Sequence, residues 1–118
     1  MMAVNAIPPL TPAGFQVLLA LAAGEAHGYA VMRFVEQATG GTVRLGPGTL
    51  YRTIGRLLAE DLVEEVEGGD PHAPHDARRR YYRLTPLGRQ AAESEAALLQ
   101  RMVAAATQAG LLPAEEPA

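Results

Sequence analysis

Glycine and proline cut the first half of the chain into pieces too short for any long helix, and this punctuation constrains the fold more than any other feature. Thr11-Pro12 opens a helical pattern with an N-cap residue followed by a first-turn proline, and Gly24 stops it. A second pattern begins at His27-Gly28-Tyr29 and stops at Gly40-Gly41. After a short linker, Thr42 to Gly46, a third begins beside Pro47 and ends near Glu60 or Asp61. Three helices of about ten to fifteen residues joined by glycine-marked turns predict a helix-turn-helix unit.

The apolar residues within each piece recur at helical spacing. Phe15, Leu18, Leu19 and Ala22 form the expected stripe of the first helix, and Val31, Met32, Val35 and Ala38 that of the second. In the third, Leu50, Ile54, Leu57 and Leu58 share one side, while Thr49, Arg52, Thr53 and Arg56 share the other. Tyr51 falls on the border, where a ring can pack while its hydroxyl stays wet. Gly55 is a poor helix former, and its flank position predicts a neighbour packed closely against it.

Beyond residue 61 the pattern changes. Leu62 to Glu67 and Arg79 to Leu84 are short β-favouring runs separated by Gly68-Gly69-Asp70-Pro71-His72-Ala73-Pro74-His75-Asp76, which is turn chemistry throughout. A hairpin follows from this arrangement. Thr85-Pro86 then repeats the capping device and starts a last helix that reaches about Gly110. Leu87, Ala91, Leu98, Leu99, Met102, Val103 and Ala106 give it a broad apolar stripe, and residues 111–118 read as a flexible tail. The predicted fold class is mostly α with a small β-hairpin.

The 118 residues fit one domain. Cysteine is absent, which excludes disulfides and thiolate metal sites. No apolar run approaches the ~18 residues of a membrane span, and MMAVNAIPPL lacks the basic start and apolar centre of a secretory signal, so a cytoplasmic location is expected. Enzymatic chemistry finds no support: Ser94 is the single serine, no glycine-rich phosphate loop follows a strand, and no nucleophile stands with a base and an orienting group. His72-x-x-His75-Asp76 has some metal-ligand character, but a structural zinc site wants four fixed ligands and the loop supplies no others. Neither a metal nor a cofactor is expected. His27 reads as a helix-start hydrogen-bonding residue, and Tyr81 and Tyr82 as strand and core residues.

Charge is blocked along the chain. The net charge is −3, yet Arg44 to Leu58 holds three arginines and no acid, Ala59 to Asp76 holds seven acids and no arginine, and Ala77 to Arg89 holds five arginines and no acid. Fields act locally, so this distribution matters more than the sum. Arg52 and Arg56 repel one another at helical i,i+4 spacing, with no acid near either to offset the cost. A solvated helix face is the ordinary origin of such a surface. The missing acids and the second basic block in the hairpin favour a nucleic-acid partner instead. Arginine can donate twice to guanine O6 and N7, and threonine can touch a thymine methyl or a phosphate.

These residues resemble those of the PadR family of transcriptional regulators, which are small winged helix-turn-helix proteins. The similarity is carried by Leu10-Thr11-Pro12, His27-Gly28-Tyr29, Leu45-Gly46-Pro47-Gly48-Thr49-Leu50-Tyr51, Arg56-Leu57-Leu58, Leu62-Val63 and Arg79-Arg80-Tyr81-Tyr82-Arg83-Leu84-Thr85-Pro86-Leu87-Gly88. It runs in order from about Leu10 to Leu111. Two departures stand out: Gly55 where a larger residue is usual, and Asp61 at a helix end where glycine is common.

The resemblance implies a winged helix-turn-helix DNA-binding domain over residues 10–84, with residues 85–110 as a dimerisation helix. It implies a homodimeric repressor at an operator of two related half-sites on double-stranded DNA. Thr49, Tyr51, Arg52 and Arg56 would contact DNA from the third helix, and Arg78, Arg79, Arg80 and Arg83 from the wing. Phe15, Leu18, Leu98, Leu99, Met102 and Val103 would form the dimer interface. A small hydrophobic effector would bind among Phe15, Leu19, Met102 and their dimer mates. Family members that stack drugs between tryptophans are no guide to a chain without tryptophan. The competing expectation is a winged-helix protein-interaction module that never touches DNA, in which the segregated arginines have no role.

Overall fold

The computed structural model describes residues 9–67 and 80–114. In chain order the elements are α1 (Pro12–Ala22), β1 (Ala26–His27), α2 (Gly28–Ala38), α3 (Pro47–Ala59), β2 (Val63–Val66), β3 (Tyr81–Leu84) and α4 (Pro86–Gln108). The three strands form one antiparallel sheet in the order β1-β3-β2. No helix among the described residues is long and apolar enough to cross a membrane.

Local chemistry starts and stops the helices. Thr11 Oγ1 accepts from the Gly14 amide and Thr85 Oγ1 from the Gly88 amide, each at 2.9 Å. Pro12 and Pro86 follow in the first turn, where no intrahelical donor is lost. α2 is capped by an imidazole: His27 Nδ1 accepts from the Ala30 amide at 3.1 Å, so that nitrogen carries no proton in this arrangement. At the end of α3 the Asp61 amide donates to Leu58 and the Leu62 amide to Leu57, with Asp61 at φ 64°. This is a Schellman closure, and it turns the chain directly from α3 into β2. Asp61 therefore occupies a left-handed position that glycine fills without strain.

The core gathers one face from each element: Val17, Leu18 and Leu21 of α1, Val31 and Val35 of α2, and Leu50, Ile54 and Leu57 of α3. Leu62, Val63, Tyr82 and Ala91 complete it. α1 lies at its centre and packs against α2, α3, β3 and α4. The expected stripe of α1 is corrected by this packing. Gly14, Val17, Leu18, Ala20 and Leu21 are buried, while Phe15 is half-buried and Leu19 exposed. α1 is apolar nearly all round, so several elements, not its periodicity, choose which side is covered. Leu18 is 0% exposed within its own chain, which removes it from the expected dimer interface. In α2, Val31 and Val35 are buried as expected, Met32 is half-buried and Ala38 is exposed.

The hairpin forms with two strands of four residues each, paired Val63 to Leu84, Glu64 to Arg83, Glu65 to Tyr82 and Val66 to Tyr81. The third strand was not expected from sequence. Ala26 and His27 pair with Tyr82 and Tyr81, and two residues are too few to show an alternating pattern. The space beside Gly55 also corrects an expectation: nothing lies within 4 Å of where its β-carbon would sit, so no neighbour packs there.

Among the described residues, α4 is anchored only at its start. Gly88 and Ala91 are buried and Arg89 Nη2 donates to the Ala22 carbonyl at 3.3 Å, but every residue from Ala96 to Ala105 is exposed. Leu98, Leu99, Met102 and Val103 form two adjacent i,i+4 rows on this uncovered stretch, with Met102 58% and Val103 54% exposed.

Candidate nucleic-acid interface

α3 buries Leu50, Ile54 and Leu57 and leaves its opposite face to solvent. Thr49, Arg52 and Arg56 are exposed, Thr53 is half-buried, and Tyr51 is 50% exposed. Tyr51 does more than border the face. Its ring and hydroxyl lie where a β-carbon on Gly28 would have to go, and Leu50 Cδ2 comes within 3.1 Å of the same position. The missing side chain of Gly28 thus lets the start of α2 close onto the start of α3. Across this junction Tyr82 of β3 is buried, and burial, then the charges of Glu65 and Tyr51, raise its phenol pKa above 10.0, with Arg80 acting in the opposite direction.

The two α3 arginines have different surroundings. Arg52 has no acidic partner among the described residues, and its Nη2 donates to Thr49 Oγ1 over 3.5 Å. Arg56 Nε donates to Glu60 Oε2 at 3.4 Å. The acid-free environment inferred from the block of sequence around Arg56 is therefore corrected: one helical turn brings Glu60, which lies beyond that block, back beneath it. Arg52, Thr53, Arg56 and Glu60 line one wall of a groove of about 200 Å³, and Pro9, Leu10, Thr11 and Gly14 line the other.

The wing arginines are also distributed unequally. Arg83 Nε donates to its cross-strand neighbour Glu64 at 2.8 Å, and that hydrogen bond, then the Glu64 charge, raises its already high pKa. It lies at the base of the hairpin and borders α4, sharing a pocket with Glu25 and Arg89. Arg80 precedes β3, is largely exposed, and stands 3.8 Å from Glu65. Arg78 and Arg79, like His72, His75 and Asp76 of the loop, fall outside the described residues.

One exposed cluster was missing from the sequence reading. His27 meets the Tyr81 ring edge-on at 5.3 Å and the Tyr29 ring at 6.4 Å, and Arg33 lies 6.0 Å from the Tyr29 ring centre. The i,i+4 spacing of Tyr29 and Arg33 was a visible signal for the last contact. The contact between His27 and Tyr81 depends on β1, which was not.

The helix order, the three-stranded sheet with its β2-β3 wing, and the exposed arginine face of α3 describe a winged helix-turn-helix. The sequence profile of the transcriptional regulator PadR-like family matches residues 17–94. The chain belongs to this family. PadR-like proteins are transcriptional regulators, not enzymes. This PadR-like chain is 43% identical over 86 residues to an uncharacterized 37.1 kDa protein in a Streptomyces fradiae transposon, a match covering 73% of this chain and 22% of the relative. It thus spans about a fifth of that relative's length.

Solved structures show the same fold. A transcriptional regulator from Clostridium thermocellum superposes with a TM-score of 0.69 at 19% identity, covering 92% of this chain and 97% of that one. A PadR family transcription regulator from Clostridium difficile gives 0.68 at 19% identity, covering 83% and 97%. The profile match ends at residue 94, so the exposed half of α4 lies beyond it.

Proposed function

We propose that this PadR-like regulator is a sequence-specific DNA-binding homodimer that acts as a repressor at an operator with two related half-sites. The observation that carries the reading is the outer face of α3, where Thr49, Tyr51, Arg52 and Arg56 are exposed on a helix held rigidly from behind by Leu50, Ile54 and Leu57. A recognition helix enters the major groove with such a face, and an arginine there offers two parallel donors to guanine. Arg80, with Arg78 and Arg79, supplies the wing's phosphate contacts, and Arg83 a weaker one because Glu64 already holds it.

Leu98, Leu99, Met102 and Val103 are the dimer surface in this reading, joined by Phe15 of α1. An exposed apolar row of that length is best covered by a second copy of itself. A twofold axis along α4 would hold two α3 helices about one DNA turn, ~34 Å, apart. Phe15, Leu19 and Met102, with their dimer mates, are the proposed lining of a pocket for a small hydrophobic effector that releases the protein from DNA.

Selection from a random pool of duplexes by the full chain, beside an Arg52→Ala/Arg56→Ala variant, tests the reading. Recovery of a two-half-site sequence by the parent alone is the expected result. Enrichment by neither protein would refute DNA recognition by α3 and favour the protein-interaction module.

A further inference from the structure

Glu60 stands in a poor position for helix stability. It is the C-cap residue of α3, where the last carbonyls already present partial negative charge, and a carboxylate there opposes the helix dipole. Its Oε2 accepts the Nε–H of Arg56 at 3.4 Å, and it is the more buried member of the pair, 24% exposed against 60%. An arginine held through Nε keeps both terminal nitrogens free for one planar acceptor pair. Arg52, one turn away, has no such anchor among the described residues: its hydrogen bond goes to Thr49, a neutral hydroxyl. Glu60 also lines the groove that Arg52, Thr53 and Arg56 share with the start of α1, so its charge lies within the candidate interface.

We propose that Glu60 is a positioning residue for recognition. It orients the Arg56 guanidinium toward a base edge, and its negative charge weakens the attraction of Arg56 for phosphate on any sequence. The pair thereby exchanges overall affinity for discrimination, while Arg52 keeps its full charge and adds general affinity to its own contact with the bases. This inference rests on the DNA-binding reading of α3.

The test measures binding of the full chain and its Glu60→Gln, Glu60→Ala, Arg56→Ala and Glu60→Gln/Arg56→Ala variants. The probes are the duplex enriched by the parent and a scrambled duplex of equal length, each over a salt series, with a melting curve for every protein. Glu60→Gln is expected to bind the scrambled duplex more tightly, with a log–log salt slope steeper by up to about 1. Its preference for the enriched duplex should fall about two- to fivefold, the range of an exposed ion pair. Glu60→Ala, which removes the acceptor as well, should fall further. The loss of preference should vanish in the Arg56→Ala background, and removal of the carboxylate from the end of α3 should leave the melting temperature equal to the parent's or slightly above it. A parent that discriminates while Glu60→Gln keeps the same preference overturns the inference and leaves the DNA reading standing. So does a Glu60→Gln loss of preference that persists without Arg56. A parent that enriches no duplex overturns both.

Discussion

The backbone of Gly88, in the first turn of α4, lies so close to the Leu62 carbonyl that a β-carbon on Gly88 would overlap it. Thr85 fastens the same corner: its hydroxyl donates to the Asp61 carbonyl at 2.7 Å and accepts from the Gly88 amide, and its own amide donates to Leu62. The exit of α3 and the entry of α4 are thus joined by backbone contacts, which set the angle between the reading helix and the proposed dimer helix. Gly88→Ala should lose about 2–3 kcal/mol or more in urea unfolding, the scale of overpacking against atoms that cannot rotate away. A variant as stable as the parent would show that the corner yields easily.

Two substitutions should stabilise the protein. Asp61→Gly relieves a left-handed non-glycine residue and removes a negative charge from the end of α3, for a gain of about 1 kcal/mol. Gly55→Ala adds a methyl into open space within a helix and should gain up to about 1 kcal/mol. Melting curves check both. If the flank of α3 at Gly55 approaches DNA, Gly55→Ala will also bind the enriched duplex more weakly despite its greater stability.

The arginines should separate by role in binding assays. Arg52→Ala or Arg56→Ala is expected to lower discrimination between enriched and random duplexes by about 1–3 kcal/mol. Arg80→Ala should weaken all duplexes alike and reduce the salt slope by about 1, and Arg83→Ala by less, because Glu64 already compensates its charge. Equal slopes for the two wing variants would argue against that difference.

Light scattering tests the proposed dimer. Met102→Glu/Val103→Glu should convert it to a monomer without loss of helicity, since both side chains are exposed within one chain. A Leu18→Ala variant should instead lose about 2–5 kcal/mol of stability with its association unchanged, because Leu18 belongs to the core. A double Glu variant that stays dimeric would place the interface elsewhere.

Tyr82 predicts an alkaline effect. Its phenol pKa is raised by burial, so the folded state holds this proton at pH values where the unfolded chain has released it. Stability from this group is therefore complete below the unfolded value near 10 and declines as pH rises from there through the folded value. Tyr82→Phe should flatten that part of the decline when unfolding free energy is followed from pH 8 to 11. The same slope in both proteins would mean that other groups dominate.

The elements and the outer face of α3 were legible in the chain because their causes are local. Thr11-Pro12 and Thr85-Pro86 cap helices through contacts three residues away, glycines end them, and the periodicity of residues 49–58 separates Leu50, Ile54 and Leu57 from Thr49, Arg52 and Arg56. The residue pattern also carried the family. The sequence by itself therefore determined helix limits, the hairpin, the arginine face and membership among PadR-like regulators.

What tertiary structure decided depends on residues distant in sequence, or on the choice among several apolar faces. α1 can bury more than one side, and packing against α2, α3, β3 and α4 selected Val17, Leu18 and Leu21 over Phe15 and Leu19. β1 exists because His27 comes alongside Tyr81, more than fifty residues later. Gly28 and Gly88 look like ordinary glycines until Tyr51 and the Leu62 carbonyl are placed against them. The unequal standing of Arg52 and Arg56 arises in the same way. One helical turn brings Glu60 under Arg56 and leaves Arg52 with a hydroxyl, a difference of geometry that blocks of like charge along the chain do not reveal.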